Sequence, residues 1–255
     1  MRSFGAFFKK ELMESVRGSR IIIFSILFVV LGVLNTGLAK LIPLLMELLS
    51  EELAASGMVI EIEANGLAAW AQYFENISIG LITFVFVFSN TFTGEYKSGT
   101  LILILTKGLA RFKVLFAKAL VMFIFWTVGY WLCFGVTHVC NLLLLGDSEA
   151  TGLMTAAVLW WLFGVFIISL VVFFSAVFSS YIGVLMGTGG VFIVSYILLL
   201  LPKISEYTPA ALMNYANLLS GTMTLSDYTA PIIIVAVLTV SAMVFSVPLF
   251  NKKQL

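Results

Sequence analysis

A series of long apolar stretches, each about as long as a bilayer is thick, constrains this chain more than any other feature. A helix needs about 20 mostly apolar residues to cross the hydrocarbon core. Six stretches meet that length: Ile21 to Ala39, Ile77 to Thr93, Val114 to Leu145, Leu153 to Phe178, Ile182 to Leu201 and Ala230 to Phe250. The third is longer than needed, so its ends are expected to protrude. Only Ser179, Ser180 and Tyr181 separate the fourth from the fifth. A single span from Val158 to Leu201 would be about twice too long, so two spans are expected there. Polarity alternating at strand length is absent, which sets aside a β-barrel. Hydrophobic residues make up 61% of the 255 and charged residues 11%, against about 25% charge in a soluble domain. That composition excludes a soluble enzyme, a nucleic-acid binder and a disordered chain. The expected fold is all-α: one six-span transmembrane domain over residues 1–255.

The charges sort by side. Arg2, Lys9, Lys10, Arg17 and Arg20 precede the first span. Lys97, Lys107, Arg111, Lys113 and Lys118 lie between the second and third, and Lys252 and Lys253 follow the sixth. Only Lys40 and Lys203 fall on the opposite side. There they meet Glu47, Glu51, Glu52, Glu61, Glu63, Glu75, Asp147, Glu149, Glu206 and Asp227, while Glu11, Glu14 and Glu95 share the basic side. The positive-inside rule then puts both termini in the cytoplasm, with a plasma-membrane location expected. The first apolar run exceeds a signal-peptide core in length and is expected to be retained. Asn76-Ile77-Ser78 is a glycosylation sequon on the outer side, of consequence only in a eukaryotic secretory pathway.

No Asp, Glu, Lys or Arg is placed deep in a span, with Lys118 near an end. That argues against proton coupling within this chain and against intramembrane hydrolysis, which needs an acid, a base or a metal. Cys133, His138 and Cys140 lie close together on the third span. They read as small polar residues packed between helices rather than as converging metal ligands. Two cysteines seven apart on one helix cannot form a disulfide with each other. No G-x-x-x-x-G-K-[ST] string occurs, so no phosphate-cradling loop and no cofactor site are expected. Gly183 and Gly187 form a small-xxx-small pair that marks where the fifth span meets a neighbouring helix.

Two segments on the basic side stand out. The first, residues 1–20, reads "FGAFFKKELMESVRGSR" from Phe4 on. At helical spacing Phe4, Phe7, Phe8, Leu12 and Val16 share one face, and Lys10, Glu14 and Arg17 the other, as in a helix lying in the headgroup plane. Glu11 falls within the apolar arc. It either snorkels to the headgroups or pairs with a basic residue of the connection after the second span. That connection, residues 94–113, is expected to break at Gly94, Gly99 and Gly108 into a short segment, Thr100 to Lys107. Leu101 to Leu105 make the segment apolar on most sides. It needs a cover, whether lipid, the interfacial helix or another protein.

In layout the chain resembles the permease subunit of type-2 ATP-binding-cassette (ABC) exporters. The family pattern after the second span is an acid, a Gly-Thr, an apolar stretch, a basic residue and a Lys heading the third span. Here those are Glu95, Gly99, Thr100, Leu101 to Leu105, Arg111 and Lys118. A Lys-Glu-Leu of the N-terminal elbow helix matches Lys10, Glu11 and Leu12. A Phe followed by two basic residues at the C-terminal end matches Phe250, Lys252 and Lys253. Tyr96 stands where the family often has a second basic residue. The resemblance implies that two six-span subunits pair, as a homodimer or heterodimer, and that each binds a cytosolic ABC ATPase carrying the ATP. Thr100 to Lys107 would be the coupling helix, with Glu11, Glu95, Gly99, Thr100, Leu101, Leu103, Ile104, Lys107 and Arg111 as the coupling residues.

Two outer segments, residues 40–76 and 202–229, are too small for a receptor domain. The first is expected to extend span one and break near Gly57. The second holds "ALMNYANLLSG", expected as a short helix. An acidic exterior and an apolar, Phe- and Met-rich path suit an amphipathic or hydrophobic substrate, a cationic peptide among them. The rival reading is a non-transporting membrane scaffold or assembly factor, which would bind no ATPase. A passive channel would need a polar stripe, and only scattered residues such as Ser89, Asn90, Thr127 and Thr137 are available.

Overall fold

The computed structural model describes residues 2–54, 65–106, 108–146 and 150–253. Every regular element among them is helical. In chain order they are α1 (Arg2–Arg17), α2 (Ser19–Ala54), α3 (Gly66–Ser98), α4 (Thr100–Thr106), α5 (Arg111–Leu144), α6 (Leu153–Val177) and α7 (Tyr181–Leu199). Three 3-10 turns, Ser205–Tyr207, Pro209–Met213 and Leu225–Tyr228, follow, with α8 (Ala216–Leu219) between the last two and α9 (Thr229–Lys252) after them. Six helices, α2, α3, α5, α6, α7 and α9, are long and apolar enough to cross a membrane.

Local chemistry explains the boundaries. The Asn65 side chain accepts a hydrogen bond from the Ala68 amide at 2.8 Å and starts α3. Ser180 does the same for α7 through Gly183 at 3.1 Å, so the uncharged Ser-Ser pair is a helix start. Gly99, at φ 69, ends α3 in the left-handed conformation that glycine adopts without strain. Gly94 breaks nothing: it lies inside α3, facing the Asn90 side chain. Much of the segment 40–76 is helix rather than loop, because α2 runs to Ala54 and α3 starts at Gly66. The expected break at Gly57, with Glu61 and Glu63, lies outside the described residues. The sequon residue Asn76 sits within α3, with its side-chain amide bound to Asn35 at 3.0 Å. The segment expected as one short helix is divided into the Pro209–Met213 turn and α8.

The helices pack in two groups. In one, α2, α3 and α5 lie side by side, with α1 across α5 and α2; in the other, α6 lies against α9 and α7. Contacts of α6 with α3 and α5 join the two. Most of α6 is enclosed, whereas α7 and α9 turn most of their surface outward. Between membrane helices there is little hydrophobic driving force, so close van der Waals packing and interhelical hydrogen bonds must hold them. Aromatic rings supply the first. Phe24, Phe28, Phe84, Phe88 and Trp126 form one continuous ring cluster, with centroids 4.4–6.3 Å apart. The Phe-rich spans therefore spend these rings on the interior of the bundle.

Glycines make this packing possible. Phe28 is wedged between Gly80 of α3 and Gly129 of α5; a Cβ there would lie 2.9 Å and 2.7 Å from its ring. Gly164 of α6 likewise receives the Trp126 ring. The second contribution is a polar cluster within the apolar bundle. Asn35 donates to Thr137 at 3.1 Å, Thr137 to the Gly32 carbonyl at 3.1 Å, and Thr36 to Asn141 at 2.9 Å. With Asn76 it bonds α2 to both α3 and α5.

Gly129→Ala therefore runs against helix propensity, which by itself favours alanine over glycine by roughly 1 kcal/mol. Overpacking against Phe28 should dominate and cost about 1–3 kcal/mol. Gly135→Ala, where a Cβ meets open space, should be neutral or slightly stabilising. Thermal unfolding of both variants in one detergent checks the contrast.

Candidate functional site at the basic end of the bundle

The site begins with the amphipathic pattern of α1. Its inward face carries Phe7, Glu11 and Ser15, four residues apart and all buried. Glu11, the acid out of place in the apolar arc, is 5% exposed, and Lys118, two turns into α5, is 1% exposed. Lys118 Nζ lies 2.8 Å from Glu11 Oε2 and 3.0 Å from Glu95 Oε2 at the end of α3. It also donates to the Thr91 carbonyl at 3.4 Å. Lys10 adds a second cation, 2.9 Å from Glu11, 2.8 Å from Glu14 and 3.3 Å from Glu95. The rings of Phe7 and Phe92 flank Lys118 at 5.9 Å and 5.6 Å.

An ion taken from water loses several kcal/mol of hydration and is tolerated only when paired. Lys118 is doubly paired, so three helices distant in sequence meet at one ammonium. Of the two possibilities for Glu11, the structure has the pair, with Lys118 as partner. Lys118, on the first turns of α5, is thus a buried charge between α1, α3 and α5 rather than a solvated flank. Carboxylate oxygens of Glu11, Glu14 and Glu95 come within 4.8 Å of one another, as in a cation site, but the Lys10 ammonium already stands within ion-pair distance of all three. Burial pulls the Lys10 pKa down, while its hydrogen bonds with Glu11 and Glu14 more than reverse this and leave it above the ordinary value. A polar cavity of about 470 Å³ opens beside the group, lined also by Asn90, Ser98 and Thr100.

A second polar group lies at the ends of α3, α5, α6 and α9. Arg111 donates to the carbonyls of Phe250 at 2.8 Å, Asn251 at 3.0 Å and Lys253 at 2.8 Å. Lys253 donates to the carbonyls of Ser175 at 2.9 Å and Phe178 at 2.7 Å, and sits 4.2 Å above the Tyr96 ring. Tyr96 donates to Ser175 at 3.0 Å. These carbonyls are the orphan acceptors that every helix leaves at its C-terminus, and cations there also meet the negative end of the helix dipole. Burial lowers the Lys253 pKa to about 8.

Between the two groups hangs α4. Leu101 is buried, Ile102 is exposed, and Thr100 faces outward. Leu103 and Ile104 belong to the same helix; their side chains, and all of Lys107, lie outside the described residues. Away from this end, Gly187 lies against the Phe174 ring of α6 and Gly183 against Phe178, so α7 meets α6 along the small pair. His138 stacks on Trp70 at 6.1 Å, Cys133 is buried, and both cysteines are free. At the opposite end Tyr215 donates to Glu75 at 3.2 Å; burial, reinforced by that carboxylate, pushes its pKa up to about 12.

Residues 6–255 match the ABC-2 family transporter protein family. The chain belongs to this family. None of the curated proteins compared with it matches significantly. As an ABC-2 family transporter protein it is a multi-pass transmembrane transport subunit, and membership implies an ABC ATPase as partner. The sequence pattern brought Glu11, Glu95, Lys118 and Arg111 to notice. It did not show that Lys118 is the shared partner of the two acids, nor that Arg111 and Lys253 cap helix ends. The one available signal for the capping was the Phe-x-basic-basic ending at Phe250 to Lys253.

Replacing Lys118 with Met should leave the buried carboxylates of Glu11 and Glu95 sharing only Lys10 and cost about 3–5 kcal/mol. Adding Glu11→Gln should recover part of that loss, as thermal melts of the double-mutant cycle would show. Lys253 should titrate near pH 8, read from the NMR shift of its ¹³C-methylated amine against a Lys253→Arg control. Because 8 lies below the 10.5 of a free lysine, burial opposes the charged form. That penalty is full below pH 8 and fades between about 8 and 10.5, so this group makes the fold more stable as pH rises through that window.

Proposed function

We propose that this ABC-2 family transporter protein is the permease of an ATP-driven exporter, with α4 as the helix on which its ATPase subunit docks. The observation that carries the reading is the suspension of α4. It is a seven-residue apolar helix with Ile102 turned outward, and the residues on both sides of it are fastened into the bundle. Glu95, just before it, joins the buried ion group that includes α1, and Arg111, just after it, holds the end of α9. A short helix held in this way can pass a push to several spans at once. On this reading the basic end faces the cytoplasm, both termini with it, as the charge asymmetry favours.

The rings of the α2, α3 and α5 core are packed against one another, so the substrate path runs between two copies, or two related subunits, rather than through one. Phe86, Met186 and Phe245 are exposed on the outer surface of the helices and offer an apolar wall to an amphipathic or hydrophobic substrate. The acidic opposite side favours one that is also cationic, such as a membrane-active peptide.

The test is co-purification of the permease with its ABC ATPase, followed by ATP turnover in nanodiscs. Ile102→Asp and the pair Leu103→Asp, Ile104→Asp should each reduce ATPase retention about tenfold or more, as loss of about 1.4 kcal/mol or more of docking energy would. Equal retention and turnover in wild type and variants would remove α4 from the interface. Failure of the wild type to hold any ATPase would favour a membrane scaffold instead.

A further inference from the structure

Each flank of α4 has its own anchor; the docking reading uses Arg111 to fasten α4 and leaves Tyr96 and Lys253 without a role. The geometry of the three is a closed circuit. Tyr96, four residues before α4, is tied to the end of α6 through Ser175. Arg111, at the start of α5, is tied to the end of α9 through three carbonyls. Lys253 closes the circuit, linking the end of α9 to the end of α6 and covering the Tyr96 ring. Among the described residues no carboxylate lies within ion-pair distance of Arg111 or Lys253. Both cations are spent on helix-end carbonyls. Such groups are the negative poles of their helices, and without the cations those of α6 and α9 would be left uncapped. The Phe250 ring is fully buried beneath the circuit, edge-on to Phe92 at 6.1 Å.

We propose that Arg111 and Lys253 are positioning residues that carry displacement of α4 to α6 and α9, so that the last span answers to the ATPase through its C-terminal end. The inference rests on the docking reading of α4. The circuit is suited to the task because hydrogen bonds to backbone carbonyls grip the helix axis itself, not a rotatable side chain. The ion group around Lys118 serves α1 in parallel and leaves α9 untouched. Motion of α4 therefore divides into two branches, one through Glu95 to α1 and one through Arg111 and Lys253 to α6 and α9.

Hydrogen exchange on the permease–ATPase complex in nanodiscs, with and without ATP plus vanadate, separates the possibilities. In the wild type, trapping should change exchange at α4 and at the C-terminal end of α9 together. In Lys253→Met the ATPase should stay bound and α4 should still respond. The response at α9 should fall about fivefold or more, the lower end of ordinary coupling strengths. Lys253→Arg, which keeps the charge and the donors, should restore it; a general loss of stability would instead alter both segments in the absence of nucleotide. An α9 response that survives Lys253→Met at wild-type size overturns the proposal, as does a wild type in which α4 responds and α9 does not. No response at α4 in the wild type would remove the docking reading, and this inference with it.

Discussion

A lysine ammonium cannot leave water alone, and Lys118 leaves it almost completely. The cost of enclosing it inside α5 is offset only because Glu11 and Glu95 bring two carboxylates to it, each from a different helix. That requirement fixes the geometry of one end of the molecule. The amphipathic α1 cannot drift from α5, because moving Glu11 away would strand a charge. The end of α3 cannot splay from α5 for the same reason, and α4 therefore starts from a defined place. Hydrophobic packing would let these helices slide; a shared buried ion does not, since its pairing weakens with separation and with exposure to water.

Within the bundle a different constraint operates. Lipid is as apolar as the side chains, so a helix gains little by turning Leu or Phe inward. Close approach decides the packing instead. Gly80, Gly129 and Gly164 are sockets for Phe28 and Trp126, and Asn35, Thr36, Asn76, Thr137 and Asn141 bond α2 to its two neighbours. The firm group of α2, α3 and α5 contrasts with α7 and α9, which give most of their surface to the surroundings. The arrangement fits a chain whose ends are held by polar circuits while its outer helices remain free to meet lipid or another subunit.

Much of this was legible before any coordinates. The six spans, the Ser-Ser turn between α6 and α7, and the amphipathic α1 followed from apolar run length and helical period, which are local properties. Glu11 was legible as an anomaly, since an acid in an apolar arc must be compensated. Its partner was not, because Lys118 lies 107 residues away and no period connects them. Lys118 was the harder residue to judge. A lysine near the end of an apolar run reads equally well as a solvated flank or as a buried ion, and only the position of α1 decides. Gly94 reads as a loop break in the sequence, yet α3 continues through it because a glycine inside a helix costs little against the hydrogen bonds it preserves.

The sequence by itself determined six helices long and apolar enough to cross a membrane, and which end gathers the cations. Run length and charge are one-dimensional quantities, and one dimension suffices for them. Only the tertiary structure decided what those cations do. Lys118 became a shared counter-ion, Lys10 a second cation reaching three carboxylates, and Arg111 with Lys253 the caps that join four helix ends. Each of those roles depends on the direction and desolvation of a side chain relative to groups far along the chain. They exist only once packing has excluded water and brought the helix ends within hydrogen-bond reach.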